Sequence, residues 1–238
     1  MVAVADICSI AYIGHIFRTV YKDEGTADLP LGNPYVGLRA LYKSGKVNSS
    51  RIEGHHIINK ARVVAPVYSK QPDKITPDDE LRANKRYGTL TPHERHFHVD
   101  SKTDTLVQFR VIDFGMEECS LMLRLPGIDE HVEGPHSFSL RPSSQLEICQ
   151  LDTTRALDTT KLTWRTRPKC KQGERLSIAA ETGRDVKVTQ FPCAWGSYQT
   201  FEVSCASPGS ADCQVDIWTS QNQTWGELST LVLSIRAD

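Results

Sequence analysis

Residues 107–125, VQFRVIDFGMEECSLMLRL, decide how this chain is read. Val107, Phe109 and Val111 alternate with Gln108 and Arg110, and Leu121, Leu123 and Leu125 alternate with Ser120, Met122 and Arg124. A β-strand turns successive side chains to opposite faces, so apolar residues on one phase of a two-residue period describe strands that bury one face. Similar runs recur at 136–140, 145–151, 161–166, 185–191, 198–205, 212–218 and 228–236. Turn clusters such as Arg141-Pro142-Ser143-Ser144 and Ser207-Pro208-Gly209-Ser210 lie between them. About eight or nine short strands at this spacing predict an all-β fold, an antiparallel β-sandwich or jelly-roll-like domain over residues 93–238.

Upstream the pattern changes. Residues 18–92 carry turn signals at close intervals, among them Gly32-Asn33-Pro34, Ala65-Pro66, Gln71-Pro72 and Thr76-Pro77. Proline removes a backbone donor and restricts the residue before it, so this stretch reads as a loop-rich arm. Two short helices fit inside it. One runs over residues 34–42 with Asn33 as N-cap and Pro34 at the first helical position; the other opens at Thr76, with Asp78, Asp79 and Glu80 in its first turn. Residues 1–17 are mostly apolar but contain Asp6 and His15, and no basic residue precedes them, so they match neither a signal peptide nor a spanning helix as written. They read as the trailing end of a signal-anchor or as a short helix packed on the fold, and membrane anchoring would run through the residues before Arg18.

Charge excludes several classes. Lys and Arg total 28 against 29 Asp and Glu, a formal net charge of -1, which is neither a basic nucleic-acid arm nor an acidic tail. Of seven cysteines, six (Cys119, Cys149, Cys170, Cys193, Cys205 and Cys213) lie in the second half and only Cys8 in the first. Together with the sequons at Asn48 and Asn222, these cysteines predict a disulfide-bonded glycoprotein of the secretory pathway, extracellular or membrane-anchored. Phe201, Val203 and Cys205 share one strand face, and Cys213, Val215 and Ile217 share one face of the next. If these strands form a hairpin, Cys205 and Cys213 meet at its mouth. Spacing suggests Cys170 with Cys193 as a second bridge, while Cys119 and Cys149 are either paired or reduced core residues.

Candidate chemistry is sparse. His96 and His98 share a strand face with Glu94 and could approach a metal, but spacing identifies no four-ligand set, so they read as rim residues and no metal site is assigned. His55-His56 falls in a polar loop. Asp113, Glu117 and Glu118 bracket a strand connection, and acids in a turn are ordinarily solvated. The chain lacks a GxSxG elbow, a phosphate-binding glycine loop, a dinucleotide fingerprint and a CxxC pair, so no catalytic residue and no cofactor is assigned. Trp195, Tyr198, Trp218 and Trp225 form the remaining constellation. On the two-residue period Trp218 faces away from Val215 and Ile217, where an exposed aromatic could stack on a sugar or dock a protein; the plainer role is to cover a core edge.

The segments 108–126, LTWRTRP (162–168), FPCAWGS (191–197) and CQVDIWTSQNQTWGE (213–227), with Asn33-Pro34-Tyr35 and Leu41-Tyr42 upstream, resemble a group of uncharacterised basidiomycete fungal proteins. That resemblance implies an N-terminal signal-anchor, a loop-rich arm and a C-terminal β-rich ectodomain. The strand from Cys119 to Leu125-Pro126-Gly127 and the Ser137-Phe138-Ser139-Leu140 strand are also similar to the fungal ubiquitin-3-binding-protein C-terminal domain. Neither resemblance implies an activity. The expected function is a non-enzymatic ectodomain for binding or structural interaction, with a glycan or a protein as partner and no nucleic acid. The alternative is a carbohydrate-active enzyme or a carbohydrate-binding module.

Overall fold

A computed structural model describes residues 2–20, 36–46, 57–77, 83–85, 88–90, 95–112, 118–127, 138–207, 212–219 and 233–237. The chain divides into two compact units, residues 1–50 and 51–238. The first contains α1 (Val2–Val20) and α2 (Leu38–Lys43). Ile7, Ile10, Ile13 and Phe17 are exposed along α1. No helix among the described residues is long and apolar enough to cross a membrane. α2 starts four residues later than the expected helix because Gly37 sits at φ 81°, a left-handed conformation that interrupts any run from Pro34. Asn33 and Pro34 themselves lie outside the described residues, as do most of those in the expected second helix.

The second unit is built from strands. In chain order these are β1 (Ile57–Lys60), β2 (Val63–Tyr68), β3 (Ala83–Lys85), β4 (Gly88–Leu90), β5 (Arg95–Asp100), β6 (Thr103–Arg110) and β7 (Glu118–Arg124). They continue as β8 (Ser139–Leu140), β9 (Gln145–Leu151), β10 (Cys170–Ala179), β11 (Asp185–Pro192), β12 (Tyr198–Cys205), β13 (Gln214–Thr219) and β14 (Leu233–Ala237). A five-stranded sheet has the order β10-β9-β12-β6-β2, a four-stranded one β1-β14-β7-β11 and a three-stranded one β5-β13-β8, with β3-β4 as a separate pair. Every strand pairing is antiparallel, as the alternation predicts.

The main core lies where the inner faces of these sheets meet. Val107, Phe109, Ile148, Phe201 and Val203 come from the five-stranded sheet, Leu121 and Leu123 from β7, and Phe97, Val99, Val215 and Ile217 from β5 and β13. Phe201 is central, with its ring 6.2 Å from Phe109 and 5.4 Å from Phe191. The five-stranded sheet is buried on its other face too. There Ala65, Val67, Leu106, Cys149 and Leu151 meet Leu162, with Leu157 and Trp164 packed around them.

Two expectations change here. The β-fold does not begin at residue 93, because β1 and β2 arise inside the expected arm. β2 escapes notice because Ala65-Pro66 reads as punctuation, yet β2 is an edge strand and an edge tolerates a proline. Conversely, 161–166 forms no strand. Its alternating Leu162 and Trp164 point into the outer core from a loop, residues 152–169, that covers the sheet.

Three disulfides brace the domain, joining Cys119 to Cys193, Cys149 to Cys170 and Cys205 to Cys213. Cys205 and Cys213 do meet, with Cα atoms 6.1 Å apart, but not across a hairpin. β12 pairs with β6 and β9 while β13 pairs with β5 and β8, so this bridge joins two different sheets. The expected Cys170–Cys193 bridge is not formed. Cys193 is fully buried in the main core, whereas Cys170 opens β10 on the outer side, where Cys149 of the neighbouring strand faces it. Loops of these sizes correspond to roughly 2–4 kcal/mol per bridge, chiefly through restriction of the unfolded chain. Cys8 is free and exposed. Alkylation of the unfolded, unreduced protein is therefore expected to label one cysteine, and all seven after reduction. Peptide mapping should recover the 119–193 and 149–170 linkages; a peptide joining Cys170 to Cys193 would contradict the structure.

Candidate functional site

The outer face of the five-stranded sheet carries polar groups that its covering loop must satisfy. Gln108 on β6 is buried, and all of its amide is used. Its Nε2 donates to the Arg155 carbonyl at 3.0 Å and to Thr200 Oγ1 at 2.9 Å, and its Oε1 accepts the Leu157 N–H at 3.0 Å. A buried amide left unsatisfied costs about 1–3 kcal/mol, so these bonds fix the loop against the sheet. Thr153 adds a hydroxyl bond to Thr200 at 2.7 Å.

Beside Gln108 sits a carboxyl pair. β6 supplies Asp104 and β12 supplies Glu202, which lies opposite Leu106 and so diagonally across from Asp104. Glu202 is buried, and Arg167 Nε donates to its Oε1 at 2.8 Å. The Arg167 guanidinium lies 3.6 Å over the Trp164 ring and donates to the Trp164 carbonyl at 2.6 Å. Burial, followed by the charge and the hydrogen bond of Glu202, pushes the Asp104 carboxyl up to about 7, against the opposing pull of Arg167.

Glu202 and Arg167 of this cluster line a groove of about 600 Å³. Around Glu202 it is lined by Arg165, Arg167, Lys169, Lys171 and Arg175. Arg165 pairs with Asp73 at 3.0 Å, and Arg175 with Glu147. Lys169 and Lys171 are exposed and have no carboxylate partner among the described residues. Three of the five cations are thus paired with carboxylates, and Lys169 and Lys171 are the positive charges the groove leaves unneutralised among the described residues.

The residues singled out from sequence are not gathered into one place. Trp218 is 8% exposed rather than projecting, because it stacks on His96 of the neighbouring strand with ring centroids 4.8 Å apart. Trp195 is half-buried, and its Nε1 donates to the Ile112 carbonyl at 3.2 Å. Tyr198 is half-buried at the start of β12. Trp225, Asn222, Asn48 and Glu94 lie outside the described residues, as does the acidic turn at 113–117. The groove was missed, although the run Arg165-Thr166-Arg167-Pro168-Lys169-Cys170-Lys171 announces it in sequence.

The model of the ubiquitin 3 binding protein But2 C-terminal domain matches residues 70–215, more than half of the chain. The chain belongs to the But2 C-terminal domain family. A comparison with curated proteins finds no match. The But2 match contains the whole groove and all six bridged cysteines. The fold extends beyond it on both sides, since β1 and β14 lie outside the match and pair with each other.

The raised Asp104 carboxyl makes stability depend on pH. The native state retains a proton there that the unfolded chain releases near its ordinary 3.8, so stability falls as pH rises from about 4 to about 7. Asp104→Asn keeps a donor toward Glu202 and has no charge to bury. It is expected to raise Tm by a few degrees at about pH 8 and to flatten the difference between about pH 5 and pH 8. Thermal melts of both proteins across that range check it.

Proposed function

We propose that this But2-family chain is a non-enzymatic binding domain that grips an acidic segment of a protein partner in the groove at the foot of β10. The observation carrying this reading is the set of five cations that line the groove with Glu202, two of them lysines that no carboxylate neutralises among the described residues. The family description names ubiquitin 3 as what But2 binds, which supports a protein as partner here. Asp104 and Glu202 hold the cover loop through Arg167, a structural task that leaves the groove to binding rather than chemistry.

The domain works in the secretory pathway, secreted or held at a membrane. Three disulfides are compatible with that oxidising environment, and Asn48 and Asn222 would carry glycans there. The exposed apolar side chains of α1 would provide the attachment. A sugar-binding role would need free aromatic faces, and one face of Trp218 is taken by His96.

Fluorescence anisotropy with a labelled glutamate-rich peptide tests the reading. The protein should bind it with an affinity that falls as salt rises, and the exposed double variant Lys169→Glu, Lys171→Glu should bind about tenfold more weakly or worse. Equal binding of a lysine-rich control peptide, preference for a sulfated oligosaccharide or indifference to the double variant would sink it.

A further inference from the structure

β5 places His96, His98 and Asp100 on one face, alternating with the buried Phe97 and Val99. β13 runs antiparallel beside it in a register that sets Asp216 opposite His98 and Trp218 opposite His96. The Asp216 carboxylate reaches both imidazoles. Its Oδ1 lies 2.8 Å from His96 Nε2, and its Oδ2 lies 2.9 Å from His98 Nδ1. The other ring nitrogen of His98 lies 3.3 Å from Asp100 Oδ2. Asp100 is itself anchored, since its Oδ1 accepts the N–H of Lys102 at 2.8 Å and of Thr103 at 2.7 Å.

We propose that His96 Nε2, His98 Nδ1 and an Asp216 oxygen form a binding site for a divalent transition metal, zinc foremost. The donor atoms already lie within 4.8 Å of one another. Tetrahedral zinc holds such ligands about 3.3 Å apart, so small side-chain rotations bring them to bonding distance. Two imidazoles with one carboxylate suit zinc, copper or nickel better than calcium or magnesium.

The surroundings fit a metal ligand set. A metal-bound histidine characteristically donates its other N–H to a carboxylate, and Asp100 stands in that position behind His98. A neutral His98 without metal has one proton for two carboxylate neighbours, whereas a metal on Nδ1 satisfies both ring nitrogens. Trp218 lies parallel to the His96 ring, 5° between planes, and sets its orientation. A second grouping, Cys149, Cys170 and Glu202, cannot serve because its two sulfurs are bonded to each other. The three ligands are half-buried, so a fourth position opens to solvent for water or a donor from a partner. The metal would tie β5 to β13 on the side away from the core.

Zinc titration by calorimetry on the full chain carrying Cys8→Ser, which removes the free thiol, tests the assignment. One zinc per chain is expected, weakened at least about tenfold by His96→Gln and by Asp216→Asn. Asp100→Asn, which changes a positioning residue and no ligand, should weaken it by about 10–100-fold. Cobalt added to the unsubstituted protein should give the visible spectrum of a tetrahedral nitrogen–oxygen site, a readout independent of whether any variant folds. A zinc isotherm unchanged by all three substitutions, or a cobalt spectrum like that of the free aqueous ion, would overturn the proposal.

Discussion

β6 and β12 are buried on both faces, and the rest of the domain follows from that constraint. On the inner face the requirement is simple: Phe109, Phe201 and Val203 fill the space between sheets. The outer face brings Gln108, Thr200, Asp104 and Glu202 under cover as well, and buried polar groups persist only when each finds a partner. Residues 152–169 are that partner. Their backbone answers Gln108, Arg167 answers Glu202, and Leu162 and Trp164 complete an apolar seal. The loop has almost no regular structure of its own, yet the sheet determines its path nearly residue by residue.

The groove is a product of the same arrangement. The cover loop ends where β10 begins, and its last basic residues cannot enter the apolar seal, so they line the seam between loop and sheet. Arg167 is shared between the two regions: its plane rests on Trp164 while Nε holds Glu202. A binding surface at such a seam is positioned by the doubly buried sheet, although its side chains are on a loop and an edge strand.

Much of the fold was legible because burial of one strand face leaves a two-residue signature. β6, β7, β9, β11, β12 and β13 all overlap runs of that kind. The reading failed where local signals conflict with tertiary position. Pro66 punctuates a sequence but is harmless on an edge strand, and Leu162 and Trp164 alternate like a strand without having a strand beside them. β10 was hidden by its own composition, since an outer edge strand can carry Lys171, Gly173 and Arg175 at little cost. Sites were harder still. The partner of His98 is Asp216, 118 residues away, and only strand order brings them together. Cysteine pairing fails for the same reason: spacing favours Cys170 with Cys193, but these two belong to different core clusters.

The order of the cysteines has a topological consequence. The Cys149–Cys170 loop is nested inside the Cys119–Cys193 loop, so any single break of the backbone from residue 120 to 192 leaves two pieces still covalently joined. The cover loop lies inside the inner ring, with both of its ends held by one bridge at the sheet surface. A protease that cuts this loop once therefore releases nothing. In an environment rich in peptidases, the domain can be nicked beside its basic groove and remain one molecule.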